Sequence, residues 1–170
     1  MSVTMGPILI LGVDPGLTRC GWGVIASEGS RLAHVAHGVI APNAKQALAV
    51  RLGELMSGLE SVIAAHRPHE ASVEETFVNS NARAALALGQ ARGVALAACA
   101  RAGLGVAEYS PATIKKSLVG TGGADKTQVA FMVRRLLPTA GDVSADAADA
   151  LAAALCHAAH GGFRRRVGEA

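Results

Sequence analysis

The chain has 170 residues, a length that fits one domain with a sizeable core. Hydrophobic residues make up 51% of it and aromatic residues only 3%, so Ala, Val, Leu and Ile must fill that core. The net charge of +3 is compatible with a polyanionic partner, but many soluble domains are equally basic. The 3 cysteines are widely spaced without a C-x-x-C pattern, which indicates a reducing compartment and argues against structural zinc. Because there is no signal-peptide pattern and no run of ~18 apolar residues, we expect a soluble, cytoplasmic protein with no membrane segment.

Apolar periodicity predicts an α/β order of elements along the chain. The predicted strands cover residues 8–14, 21–26, 32–40, 71–76 and 106–109. The predicted helices cover residues 45–65, 81–101, 111–120, 125–138 and 145–160. Three strands in a meander, followed by strands that alternate with helices, predict a mixed five-stranded sheet flanked by helices.

Acidic residues occur in apolar surroundings where a charge is costly. Asp14 ends the first predicted strand, Glu74 lies in the fourth, and Asp146 and Asp149 interrupt a helix that is almost all Ala and Leu. A carboxylate in such a setting costs several kcal/mol unless it is paired or binds a cation. If the first and fourth strands are neighbours, their carboxyl ends bring Asp14 and Glu74 within reach of one metal site.

The two helix acids are three residues apart and therefore share one face of the helix. Asp146 alone fits a first-turn carboxylate that is stabilised by the helix dipole. Asp149 lies deeper among alanines, and no basic residue is near in sequence, so the pair predicts a charge deficit. Two divalent cations would balance the four carboxylates, and oxygen ligands suit Mg²⁺ or Mn²⁺. The chemistry implied is attack of a metal-activated water on a phosphodiester.

The segment Gly120–Thr127 superficially resembles a P-loop, G-x-x-x-x-G-K-[ST]. Asp125 occupies the position of the second glycine, and the segment follows a predicted helix instead of a strand. We therefore reject nucleotide binding and interpret the segment as a flexible glycine loop that delivers Lys126 to a phosphate.

Four segments in chain order closely resemble the RuvC family of Holliday junction resolvases. They are Ile10–Gly16 (ILGVDPG), Val73–Phe77 (VEETF), Ala87–Ala95 (ALGQARGVA) and Ala145–Ala152 (ADAADALA). The resemblance implies an RNase H-like nuclease domain over residues 1–160, followed by a basic tail over 161–170 with Arg164, Arg165 and Arg166 that we expect to be disordered. It also implies a homodimer that cuts opposing strands of a four-way junction with two Mg²⁺ ions per site and works with the RuvA–RuvB branch-migration complex.

The same resemblance implies roles for individual residues. Asp14, Glu74, Asp146 and Asp149 would be catalytic metal ligands, and Lys126 would join them as a catalytic residue. Glu74 and not Glu75 is the ligand, because successive strand residues face opposite ways and the family spacing to the following Phe selects Glu74.

Further residues are predicted to bind DNA, each with a structural alternative. Phe77 either stacks on an unpaired base or packs in the core, and the resemblance favours stacking. Lys115 and Lys126 match family positions near the scissile phosphate, whereas Lys116 has no such match. Without the resemblance, each of the three lysines would be interpreted as a solvated surface residue. Arg92 either binds phosphate or bridges a helix and the sheet.

Other predictions concern the end of the last helix and the assembly. His157 and His160 would complement the helix dipole, and at ~1.5 Å per residue they lie too far from Asp149 to share a metal with it. Cys156 is expected to pack as a small hydrophobe. The Ala- and Leu-rich helix 81–101 is a candidate dimer interface, although its burial within one subunit is nearly as plausible.

Three alternative functions compete with junction cleavage. A nuclease of the same fold with another substrate is the nearest, and a junction-binding module that no longer cuts is disfavoured by the four intact acids. An actin-like or sugar-kinase-like phosphotransferase also begins with a strand, Asp and Gly. It needs a second, similar domain, for which this chain is too short.

Overall fold

The computed structural model describes residues 6–75 and 80–167, with residues 162–167 described as backbone only. The strands are β1 (Ile8–Asp14), β2 (Cys20–Glu28), β3 (Arg31–Ile40), β4 (Glu70–Glu74) and β5 (Gly105–Tyr109). The helices are α1 (Leu48–His66), α2 (Ala82–Arg101), α3 (Pro111–Val119), α4 (Lys126–Leu136) and α5 (Ala145–Val167), with a short 3-10 helix at Pro138–Ala140. No helix in the described ranges is long and apolar enough to cross a membrane.

The strands form one mixed sheet in the order β3-β2-β1-β4-β5. β1 pairs with β2, and β2 with β3, in antiparallel fashion, while β1–β4 and β4–β5 are parallel. The five-stranded prediction is therefore confirmed, including the neighbouring positions of β1 and β4. Val13 pairs with Val73, so the residues that follow them, Asp14 and Glu74, emerge side by side at one edge of the sheet.

Helices cover both faces of the sheet. α1 and α2 bury side chains such as Leu55, Leu59 and Ala95 with Leu11 and Val13 on one face. α3, α4 and α5 form the second core on the other face, around Ile10, Ile25 and Leu151.

Small residues allow α5 to pack directly on the sheet. A Cβ atom at Gly12 would overlap the Ala150 carbonyl, and one at Gly21 would overlap the Asp146 carbonyl. The alanine-rich sequence of α5 is thus explained by close approach, because a larger side chain on either partner would separate the layers. This packing fixes the acidic first turns of α5 over the ends of β1 and β2.

Side-chain caps begin several of the helices, whereas Ala47 before α1 provides no such cap. Asn81 and Ser110 cap α2 and α3 through their side chains, and Pro111 is the first residue of α3 as predicted. The predicted end of the last helix near residue 160 is wrong, because α5 continues through Gly161 to Val167. Residues 168–170 lie outside the described residues, and the separate tail at 161–170 stays a prediction.

Candidate active site

A cleft of about 220 Å³ opens where β1 and β4 end. Asp14 and Glu74 come from the two strand ends and Asp149 comes from α5. The basic side chains in the lining are Lys115 of α3 and Lys126 of α4. Residues from five elements therefore meet at the carboxyl ends of two parallel strands, where ligands bind in sheets of this kind.

The carboxyls of Asp14 and Glu74 hold their protons unusually tightly. The pKa of Asp14 is raised to about 8, first by burial and then by the charges of Glu74, Asp149 and Asp146. The pKa of Glu74 is raised to about 7, again by burial first and then by Asp149. Lys126 opposes both shifts. A cation bound by these carboxyls would favour their ionised form and so take the place of the protons.

The two acids of α5 have basic partners, contrary to the predicted charge deficit. Arg19, in the loop between β1 and β2, donates from Nε to Asp146 Oδ2 at 2.7 Å. The Lys126 Nζ atom lies 3.5 Å from Asp149 Oδ2. The pKa of Asp149 is still raised, because burial outweighs the attraction of Lys126. Asp146 occupies the first turn of α5, where the Ser144 hydroxyl accepts a hydrogen bond from the Ala147 amide.

The carboxylate oxygens of the cleft are ligands that suit a hard cation, but their side chains are not arranged around a common point. As they stand, the described residues contain no group of three His, Cys, Asp or Glu side chains that could hold a metal ion. Asp146 is engaged by Arg19 and Asp149 by Lys126. The oxygen-only carboxylate set and the raised pKa values of Asp14 and Glu74 nevertheless fit a divalent metal that replaces protons.

The loop before α4 ends in a helix-capping motif, which agrees with the rejection of a P-loop. The Asp125 side chain accepts a hydrogen bond from the Gln128 amide at 2.8 Å, and the Gln128 side chain accepts one from the Asp125 amide at 2.9 Å. This capping box starts α4 and sets Lys126 at its first position, where the ammonium reaches the cleft.

Several other predicted residues lie away from the cleft or outside the described ranges. Arg92 forms an ion pair with Glu108 of β5, which corresponds to the bridging alternative and links α2 to the sheet. Lys116 does not line the cleft; it lies in a groove on the other side of α3. Phe77 lies outside the described residues. The Glu75 amide donates to the Tyr109 carbonyl at 2.8 Å.

His157 and its neighbours make contacts that the sequence did not reveal. The Nε2 atom of His157 lies 2.7 Å from Glu70 Oε2, and Nδ1 lies 2.9 Å from the Tyr109 hydroxyl. These contacts tie α5 to β4 and β5. Because α5 continues to Val167, neither His157 nor His160 lies in its last turn, and the dipole interpretation of both is wrong. Cys156 is buried, as expected, and burial raises the pKa of its thiol to about 11.

Residues 10–157 match the family model described as crossover junction endodeoxyribonuclease RuvC. A protein of that name from Caulobacter sp. (strain K31) is 60% identical over 158 residues, which cover 93% of this chain and 94% of the relative. A relative of the same name from Caulobacter vibrioides is 58% identical, with 98% of this chain and 99% of the relative covered.

Solved structures give the same picture of the fold. The structure described as T. thermophilus RuvC in complex with Holliday junction substrate aligns with a TM-score of 0.86 and 33% identity, covering 92% of this chain and 96% of that one. The yeast mitochondrial Holliday junction resolvase Ydc2 aligns with a TM-score of 0.66 at 13% identity, which supports the fold alone. The predicted RNase H-like architecture is thereby confirmed.

Proposed function

The chain belongs to the RuvC family of crossover junction endodeoxyribonucleases, and we propose that the cleft between β1, β4 and α5 is where it cuts DNA. The protein is accordingly an endonuclease that resolves four-way (Holliday) junctions in recombination and repair. The observation that carries the assignment of the site is the pairing of Asp14 with Glu74 at adjacent strand ends, opposite Asp149 and beside two lysines.

We propose that Asp14, Glu74, Asp146 and Asp149 are the metal ligands of this nuclease. Two Mg²⁺ ions would suit the all-oxygen set, and Mn²⁺ would fit the same ligands. Bound metal supplies an activated water and stabilises charge on the leaving oxygen. For all four acids to take part, Asp146 must turn from Arg19 and Asp149 from Lys126, and both ion pairs are open enough to solvent to exchange partners.

Lys126 and Lys115 would hold the scissile phosphate. The Lys126 side chain is 83% exposed, so it can move from Asp149 to a DNA oxygen when Asp149 binds metal. Lys115 faces the same cleft from α3, and its charge offsets a small part of the rise that burial causes in the pKa values of Glu74 and Asp149. Of these two residues, we assign Lys126 the catalytic role, because its ammonium is in direct reach of a proposed metal ligand.

Phe77 remains our candidate for stacking on an unpaired base at the centre of the junction. The support is its position three residues after Glu74 and the family resemblance of the segment Val73–Phe77. Arg92 is a weaker candidate for DNA binding, because its guanidinium already pairs with Glu108.

We propose that the protein acts as a homodimer through the first half of α2. Leu86 is 65% exposed on this helix, and Cβ atoms added at Gly89 or Gly93 would enter open space. These positions recur at helical spacing and form an apolar face that the described residues of one subunit leave uncovered. A two-fold dimer would supply paired cuts to a junction that is itself nearly two-fold symmetric.

The setting of this activity is also a proposal. We infer that the enzyme acts in the cytoplasm on junctions that a RuvA–RuvB branch-migration complex delivers. The support is the family alone, and pull-down of the two partners by the tagged protein would test it.

The test of the proposed function uses a synthetic four-way junction and a linear duplex of matched sequence, each with and without Mg²⁺. We expect metal-dependent, symmetric cuts in the junction and little cutting of the duplex. Equal cleavage of both substrates would instead indicate an RNase H-like nuclease of different substrate choice. Tight junction binding without any cleavage in Mg²⁺ or Mn²⁺ would indicate a binding module.

A further inference from the structure

A second polar groove of about 370 Å³ lies between α3 and α5, apart from the catalytic cleft. Its lining consists of Thr113, Lys116 and Ser117 from α3 and His160 from α5. The three α3 residues are spaced i, i+3 and i+4, so they share one face of the helix. We call this the α3–α5 groove.

Adjacent lysines of α3 serve the two sites separately. Lys115 lines the catalytic cleft, whereas Lys116 is turned about 100° around the helix axis and lines the α3–α5 groove. Ile114 and Leu118 bury the intervening face of the helix and hold it in place. One short helix therefore presents a cation to each of two neighbouring depressions.

The polar groups of the groove are suited to an anion. Among the described residues its lining contains a lysine, a histidine and two hydroxyls, and no carboxylate. The Ser110 hydroxyl lies 2.8 Å from the Thr113 hydroxyl and can donate to it, which leaves the Thr113 proton for another acceptor. His160 Nδ1 lies 2.8 Å from the Cys156 carbonyl, which can only accept, so Nδ1 carries a proton. The Tyr109 ring, at a centroid distance of 5.0 Å, supports the imidazole.

The groove lies well beyond the phosphate that is cut. His160 follows Asp149 by eleven helical residues, which corresponds to about 16 Å along α5. Since one DNA strand carries a charge every ~3.4 Å of helix axis, that span reaches several phosphates along a duplex arm. We propose that the α3–α5 groove is a second DNA-binding site that takes a backbone phosphate of the junction arm, away from the cleavage position. This proposal rests on the proposed junction substrate.

The experiment measures binding of the full-length protein to a fluorescent four-way junction without divalent metal, over a series of salt concentrations. Loss of one phosphate contact should reduce the slope of log K against log salt by about 0.9. We expect this for Lys116→Gln and recovery of the slope in Lys116→Arg. The matched control is Arg101→Gln, which removes one exposed positive charge on the opposite, α1–α2 side of the sheet. Melting temperatures identify any variant that loses stability.

Neutral methylphosphonate linkages, placed one at a time along an arm, identify the phosphate. One such linkage, outside the cleavage position, should weaken DNA binding by the wild-type protein several-fold. The same linkage should hardly change DNA binding by Lys116→Gln, because that variant has already lost the contact. Wild-type cleavage of the junction in Mg²⁺ is measured in parallel. If the wild-type protein cleaves but Lys116→Gln keeps the wild-type slope and the full methylphosphonate effect, the groove proposal is overturned and the proposed function stands. If the wild-type protein does not cleave, the proposed function itself fails.

Discussion

Arg19 and Asp146 are separated by 127 positions in the sequence, yet their side chains meet at 2.7 Å beside the proposed catalytic cleft. The contact joins the β1–β2 loop to the first turn of α5. It neutralises one of the four proposed metal ligands, so metal binding at Asp146 must compete with an arginine. The ion pair is partly exposed, and such pairs contribute at most about 1 kcal/mol.

The first prediction concerns this competition. Arg19→Gln should increase the affinity of the protein for Mn²⁺ up to about fivefold, because Asp146 no longer has to leave a partner. Titration followed by Mn²⁺ paramagnetic resonance without DNA measures the effect. Arg31→Gln, at the exposed β2–β3 turn, serves as the control. A lower Mn²⁺ affinity in Arg19→Gln would mean that Arg19 orients Asp146 for metal instead of competing for it.

The second prediction concerns the pH dependence of stability without metal. The folded-state pKa of Asp14, about 8, lies above its unfolded value, so the folded state binds more protons and stability falls as pH rises from about 4 to 8. Because the loss amounts to about 1.4 kcal/mol per pH unit over this range, Asp14→Asn should raise the free energy of unfolding at pH 8 by up to about 5 kcal/mol, with little effect at pH 4. Urea unfolding at both pH values checks it, with the exposed-site variant Asp142→Asn as control. An equal effect of Asp14→Asn at both pH values would contradict the raised pKa.

The third prediction tests the close approach of α5 to β1. Gly12→Ala should destabilise the protein by about 1–3 kcal/mol, because its Cβ would overlap the Ala150 carbonyl and move the helix that carries Asp146 and Asp149. Gly53→Ala is the matched control: Gly53 lies in α1 with open space around it, so alanine should stabilise by about 0.5–1 kcal/mol. Chemical denaturation of both variants gives the comparison. Unchanged stability in Gly12→Ala would refute the packing described for α5.

The fourth prediction concerns the dimer. Leu86→Glu should convert the protein to monomer, because it places a charge on the uncovered face of α2. Val50→Glu, at a 47%-exposed position of α1, should leave the dimer intact. Sedimentation equilibrium distinguishes the species. A wild-type protein that is monomeric while it makes paired symmetric cuts would exclude the dimer, and a dimeric Leu86→Glu would move the interface elsewhere.

The residues of the cleft could be predicted because their sequence surroundings are apolar. The run from Ile8 to Val13 indicates a buried strand, and a strand in that setting that ends in Asp14 requires a cation or a partner. The same argument identified Glu74 and Asp149. These signals are local, and the parallel β1–β4 pairing follows from the order of strands and helices along the chain.

Contacts between residues that are distant in the sequence could not be predicted in this way. Nothing in the sequence around Arg19 pairs it with Asp146, because the contact exists only after α5 packs on β1 and β2. The bond between His157 and Glu70 depends on the same packing. The end of α5 could not be predicted for another reason. Glycines such as Gly161 and Gly162 usually weaken a helix, yet here they lie inside it.

The most direct test of the assigned site is Asp14→Asn assayed for junction binding and junction cleavage in the same preparation. Removal of one carboxylate lowers the repulsion of phosphates but removes a proposed metal ligand. We predict that the variant binds a four-way junction at least as tightly as the wild-type protein and that its cleavage in Mg²⁺ falls below detection. Cleavage by Asp14→Asn near the wild-type rate would contradict the assignment of this cleft as the catalytic site.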